Sequence, residues 1–175
     1  MNTNTVIKTK LFWAWQDEKE EAWLSEMARE GLHLESIPFP VRYKFQKGEP
    51  VNYVYRLDYQ SLKSKDRESY LQLFKDAGWE HVADFGGWIY FRIITNDGES
   101  PEIYSDTESK MRKYQRIMII LVIFLPILLS IRPYTPDHNG PFSIILSTLF
   151  AILILLYAFA MVQLLRRMDQ IKKKG

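Results

Sequence analysis

AWLSEMAREGL at residues 22–32 and SYLQLFKDAGW at residues 69–79 are the two segments that decide the fold. In the first, Trp23, Leu24, Met27 and Ala28 recur at the spacing of one helix face, and Gly31 supplies the left-handed residue that ends such a helix. The second repeats this 47 residues later: Tyr70 falls on Trp23, Leu71 on Leu24, Phe74 on Met27, Gly78 on Gly31 and Trp79 on Leu32. Upstream, Val6 to Trp15 is dense in β-prone apolar and aromatic residues and predicts a strand. Asp17 then reads as a helix N-cap, with Glu20 three residues on closing a capping box. Downstream, Leu32 to Ile37 alternates, Pro38 and Pro40 turn the chain, and Val41, Tyr43 and Phe45 alternate with Arg42, Lys44 and Gln46 in a half-exposed strand.

The second round follows in the same order. VNYVYRLDY (51–59) predicts a strand, Ser64 or Asp66 caps the second helix, and residues 79–82 and 88–94 form two strands separated by Gly86 and Gly87. Tyr43 falls on Tyr90. Each half therefore reads strand, helix, strand, strand. Two copies are too few for a solenoid, so the expectation is an α+β domain: two βαββ units sharing one antiparallel or mixed sheet, with two helices on one face. Residues 1–95 form this domain and 96–105 a linker, by the polar, Gly- and Pro-containing run TNDGESP (95–101). The segment Glu102–Tyr104 can touch back on the domain surface.

Beyond Asp106 the chain changes character. A polar helical stem runs without a breaker into IMIILVIFLPILLSI (117–131), and a second apolar run, FSIILSTLFAILILLYAFAMVQLL (142–165), follows a proline-rich break from Arg132 to Gly140. Such runs satisfy their backbone hydrogen bonds as helices in a bilayer, so residues 106–175 are expected to form a transmembrane hairpin with spans at about 115–132 and 142–165. The first uncharged run, about 22 Å long as a helix, is short for a hydrocarbon core of about 30 Å. Arg116 and Arg132 can extend it by snorkelling, while Pro126 kinks it. A re-entrant first segment is the alternative. Lys110, Arg112, Lys113 and Arg116 precede the first span, and Arg166, Arg167, Lys172, Lys173 and Lys174 follow the second, whereas the break holds only Arg132. The positive-inside rule then puts both termini in the cytoplasm of a multi-pass cell-membrane protein. The N-terminus carries no expected secretory signal, since five apolar residues (Leu11 to Trp15) lead into an acidic run.

Composition narrows the function classes. Residues 1–100 hold 13 Lys+Arg against 16 Asp+Glu, and residues 101–175 hold 10 against 5. The basic charge belongs to the hairpin, so nucleic acid is not the expected partner. The chain has no cysteine, which removes disulfides, thiolate nucleophiles and Cys-type zinc sites. The spans contain no acid, base or histidine, as charge-handling transport would need. His33 and His81, soon after the two helix-ending glycines, lack a third ligand, and no metal or other cofactor is expected. Glu18, Glu20, Glu21, Glu26 and Glu30 read as a solvated helix face. No phosphate loop, nucleophile elbow or zinc helix occurs, so no enzyme activity and no catalytic residue is expected. A sheet covered on one face leaves the other bare, which makes Tyr43, Phe45, Tyr53, Tyr55, Trp88 and Tyr90 the candidate partner surface, or the core of a homo-oligomer.

The motifs KTKLFWAW (8–15), EEAWLSEMAREGLHL (20–34), YVYRLD (53–58), DAGWE (76–80), WIYFR (88–92) and EIYSDTESK (102–110) are together similar to a family of bacterial membrane proteins called domain of unknown function 2812. The usual glycine-tryptophan after the first helix is here Gly31-Leu32. The resemblance implies a cytoplasmic domain on a membrane anchor, in a family often encoded beside PadR-like transcriptional regulators. It implies no activity or catalytic residue. The expected function is a membrane-anchored cytoplasmic binding or regulatory module acting through a protein partner, in contact with membrane lipid. The alternative is a structural or accessory subunit that docks through the hairpin.

Overall fold

The computed structural model of the chain describes residues 4–96, 98–104, 106–130 and 140–174. It divides into two compact units, Met1–Ser105 and Asp106–Gly175. The first contains β1 (Thr5–Thr9), α1 (Asp17–Arg29), β2 (Leu32–Ser36), β3 (Arg42–Lys47), β4 (Tyr53–Tyr59), α2 (Ser64–Asp76), β5 (Glu80–Phe85) and β6 (Trp88–Ile94). The strand–helix–strand–strand order thus occurs twice, as the paired segments foretell. β1 is shorter than the apolar run suggests: Leu11 to Trp15 leave the strand, and the Gln16 N–H closes a turn on the Trp13 carbonyl at 2.7 Å.

The strands form two three-stranded antiparallel sheets, β1-β3-β2 and β4-β6-β5, rather than one shared sheet. The equivalent third strand lies at the centre of each. The second strands break register at equivalent places, between Leu34 and Ser36 in β2 and between His81 and Ala83 in β5. Register also corrects one equivalence. Leu34 pairs with Phe45 and His81 with Phe91, so Phe45 matches Phe91, and Tyr43 does not match Tyr90.

α1 occupies the free edge of β4. Ser25 Oγ accepts the Tyr55 N–H at 3.3 Å, and Glu21 Oε1 accepts the Leu57 N–H at 2.9 Å. These bonds occupy edge donors that would otherwise recruit another strand. The main core gathers Leu24, Met27 and Ala28 of α1 with Leu34, Tyr43 and Phe45 of the first sheet and Tyr55, Leu57, Ala83 and Tyr90 of the second. On the opposite face of the second sheet, Val54, Ile89 and Phe91 pack with Trp79 and with Tyr70, Leu71 and Phe74 of α2. The helices therefore lie on opposite sides of the second sheet, not on one face. β4 is buried on both faces from Val54 to Asp58, unlike the half-exposed strands of the first sheet.

Residues 98–104 are tied to the domain. Arg56 reaches Ser100 Oγ at 2.8 Å and Glu102 at 3.1 Å, Tyr104 donates to Asp58 Oδ1, and Ile103 packs on the Val54 cluster.

The second unit is a helix pair, α3 (Thr107–Ser130) and α4 (Pro141–Lys174), both long and apolar enough to cross a membrane. Asp106 caps α3, accepting the Ser109 N–H at 2.7 Å. α3 continues through Pro126 as one helix. Proline removes the donor that would meet the Val122 carbonyl, and at the preceding residue the Tyr157 hydroxyl of α4 donates to the Leu121 carbonyl. Arg132 and the rest of the predicted break, residues 131–139, lie outside the described residues.

Candidate ligand-binding site

A cleft of about 190 Å³ opens at the N-terminal end of α1. Its walls come from three places: Leu11, Phe12, Trp13 and Ala14 between β1 and α1, Val41 at the entry to β3, and Phe85 with Trp88 at the β5–β6 turn. Asp17 and Glu20 of α1, Tyr43 of β3 and Tyr90 of β6 supply the polar groups. The chain brings these together because the β1–α1 connection is aromatic rather than extended. Trp13 and Trp15 stack with centroids 5.4 Å apart, while Phe12 packs 5.6 Å from Trp23.

Glu20 is the pivot of the site. The hydroxyls of Tyr43 and Tyr90 each donate to its Oε1 at 2.7 Å, so one carboxylate oxygen joins the first helix to both sheets. Charge-assisted O–H bonds of this kind are about twice as strong as neutral ones. Burial nevertheless pushes the Glu20 carboxyl above its ordinary value of 4.5, against the opposing effect of the two tyrosine bonds and with a smaller upward push from Asp17. Burial, with the Glu20 charge beside them, likewise raises both tyrosines, which remain protonated donors. The cleft thus sets aromatic walls beside a carboxylate whose Oε2 has no donor among the described residues.

The acidic face of α1 is therefore solvated only in part, with Glu20 and Glu21 departing from the expectation. Asp17, Glu20 and Glu21 are buried, whereas Glu18, Glu26 and Glu30 are exposed. Nor does the capping box form: Gln16 occupies the cap position without a side-chain bond, Asp17 is the first helical residue, and Glu20 turns to the tyrosines instead. A signal was available. Asp17, Glu20, Glu21, Leu24, Ser25 and Ala28 follow one helical stripe, the apolar face continued toward the N-terminus with polar residues.

The six aromatics expected on a bare face are placed differently. Tyr43, Phe45, Tyr55 and Tyr90 are buried in the core; Tyr53 and Trp88 are half-buried. The face is not bare, because the first sheet and α1 cover one side of the second sheet and α2 covers the other. Tyr43, Trp88 and Tyr90 reappear as cleft residues; Phe45 and Tyr55 do not line it.

His33 and His81 do share one groove, of about 460 Å³, with Glu80 and Arg92. His33 Nε2 meets the Glu49 carbonyl at 2.9 Å and His81 Nε2 meets Asp84 at 3.0 Å, so each is engaged apart from the other. Among the described residues no group of three or more potential ligands could hold a metal ion.

The basic residues flanking the apolar helices differ in setting. Arg112 and Arg166 are exposed, and Lys110, Arg116 and Arg167 half-buried. Lys113 is buried, its ammonium 5.2 Å from the Tyr114 ring, and Arg167 Nε lies 3.4 Å from the Tyr114 hydroxyl. Tyr114 thus gathers two of the cations expected at a membrane interface.

The family described as Protein of unknown function (DUF2812) matches residues 16–125. The chain belongs to this family. The DUF2812 match takes in α1, both sheets from β2 onward and α3 to just before Pro126, so it joins the cleft-bearing domain to the first apolar helix. Asp17, Glu20, Tyr43 and Tyr90 fall inside the DUF2812 segment, while Leu11 to Ala14 of the cleft wall precede it. No curated protein and no solved structure matches the chain.

Proposed function

We propose that the protein is a membrane-anchored binding module whose domain faces the cytoplasm and relays occupancy of its cleft to a protein partner. The observation that carries this reading is the pairing of a self-contained cleft, on its own compact unit, with two helices whose apolar side chains are largely exposed. In water that exposure would be unfavourable, and in lipid it is the expected state. Nine Lys and Arg flank the helices on the side of the termini, against Arg132 in the connection, which favours termini in the cytoplasm. Leu11 and Trp13 line the cleft and stand 65% and 50% exposed, so a partner meeting them would contact ligand and protein together.

The absence of cysteine makes orientation directly measurable. Single cysteines at Ser64 and at Gly140 are treated in intact cells with a membrane-impermeant maleimide. Labelling at Gly140 from outside, with Ser64 labelled only after permeabilisation, is the expected pattern. Labelling of Ser64 in intact cells ends the cytoplasmic reading.

A further inference from the structure

The reading as a binding module leaves the ligand open, and the chemistry of the cleft narrows it. Among the described residues no Lys, Arg or His lines the cleft, while two carboxylates do. Both tyrosine hydroxyls converge on Oε1 of Glu20, which leaves Oε2 able to meet a positive group. The walls include four aromatic rings, those of Phe12, Trp13, Phe85 and Trp88. Such rings attract cations through their quadrupoles, and the chain already uses one of them so, with the Lys10 ammonium 5.2 Å from the Phe12 centroid and 4.9 Å from Trp23. A divalent metal ion is a poor fit, since it takes six or more oxygen ligands or several retained waters, and no three-residue ligand group is present among the described residues. The volume, about 190 Å³, is below the roughly 300–1,000 Å³ of sites for drug-sized ligands, so the occupant is small. At the rim, Val41 is held at φ +50°, a conformation unfavourable for a β-branched residue and of the kind that gathers at ligand sites.

We propose that this cleft binds a small organic ammonium ion of the methylated type, its charge on Glu20 and Asp17 and its methyl groups against the aromatic walls. The ammonium can belong to a free solute or to a lipid headgroup, and the chemistry of recognition is the same. The proposal rests on the binding-module reading, but its failure is separable, because cysteine labelling tests the anchor and its orientation without any ligand.

Isothermal titration calorimetry of the full chain in maltoside micelles uses choline and tetramethylammonium as probes, with 3,3-dimethylbutan-1-ol as the uncharged isostere of choline. Saturable binding of both ammonium ions, at least tenfold weaker for the isostere, is expected. Glu20→Gln should weaken choline binding at least tenfold. Because that residue also ties the core, Trp13→Ala serves as the second variant: its side chain is half exposed, and removing one wall should weaken choline severalfold without unfolding the domain. Repeating the titration in nanodiscs separates the sources. Choline binding suppressed by phosphatidylcholine relative to phosphatidylglycerol supports a lipid headgroup, and binding unaffected by the lipid supports a solute. Absence of choline binding in the folded wild-type chain, or equal binding of the uncharged isostere, overturns the proposal.

Discussion

The helices α1 and α2 have the same length and the same sequence pattern, yet α1 buries seven of its residues and α2 none. α1 lies along the β4 edge and contributes to the core between both sheets, whereas α2 lays Tyr70, Leu71 and Phe74 on one face of the second sheet. Each half also holds a buried carboxylate that accepts two tyrosine hydroxyls: Glu20 from Tyr43 and Tyr90, and Asp58 from Tyr70 and Tyr104. Glu20 lines the cleft, while Asp58 pins α2 and residues 98–104 to the second sheet. Repetition of a sequence pattern thus yields one helix that is central and one that is peripheral. The two carboxylates of the cleft sit on the central one, where packing fixes them most firmly.

The contrast can be broken by matched substitutions, because all five tryptophans lie in the first unit and their fluorescence reports its urea unfolding alone. The largest difference is expected between the equivalent leucines. Leu24→Ala empties a fully buried position and should cost about 2–5 kcal/mol, whereas Leu71→Ala, half-buried, should cost about 1 kcal/mol. Equal losses would mean that α1 is not the central helix.

A smaller difference is expected at the two helix-ending glycines. Both have positive φ, so alanine is strained at each. At Gly31 an added Cβ would also stand 2.4 Å from the Gly48 carbonyl oxygen, which the backbone must move to relieve; at Gly78 it meets only the Ile93 Cδ1 at 3.4 Å. Gly31→Ala should cost about 2–4 kcal/mol and Gly78→Ala about 1–2 kcal/mol, by the same unfolding measurement.

The subtlest effect sharpens the comparison of carboxylates. Burial, opposed by Tyr43 and Tyr90 and aided by Asp17, leaves Glu20 with a higher pKa folded than its ordinary 4.5. The folded state then binds more protons, and stability falls as pH rises above about 4.5 through the folded pKa. Glu20→Gln keeps an acceptor for the tyrosines without the titration, so this part of the fall should disappear from a series of urea midpoints. A slope unchanged by the substitution would place the titration elsewhere.

Much of the architecture was legible. Residues 22–32 and 69–79 announced both helices, their glycine ends and the repeated order of strands, and the apolar runs marked both long helices. Sheet count was not legible, because strand pairing rests on long-range contacts; so does the covering of the β4 edge by Ser25 and Glu21, which lie 30 and 36 positions from their partners. The cleft was hidden for a related reason. The helical stripe through Leu24 and Ala28 sets Glu20 apart from Glu18 and Glu26, but only the folded positions of Tyr43 and Tyr90 show that it lines a cleft. The aromatic residues were recognised, but their side depended on whether one sheet or two had formed.

Native-state hydrogen exchange of the full chain tests most directly whether α1 is the locked centre that carries the site. Amides of α1 from Glu21 to Arg29 are expected to exchange only through global unfolding of the first unit, and those of α2 through local opening at clearly lower free energy. Equal protection of the two helices, or earlier opening of α1, would contradict this structure of the site.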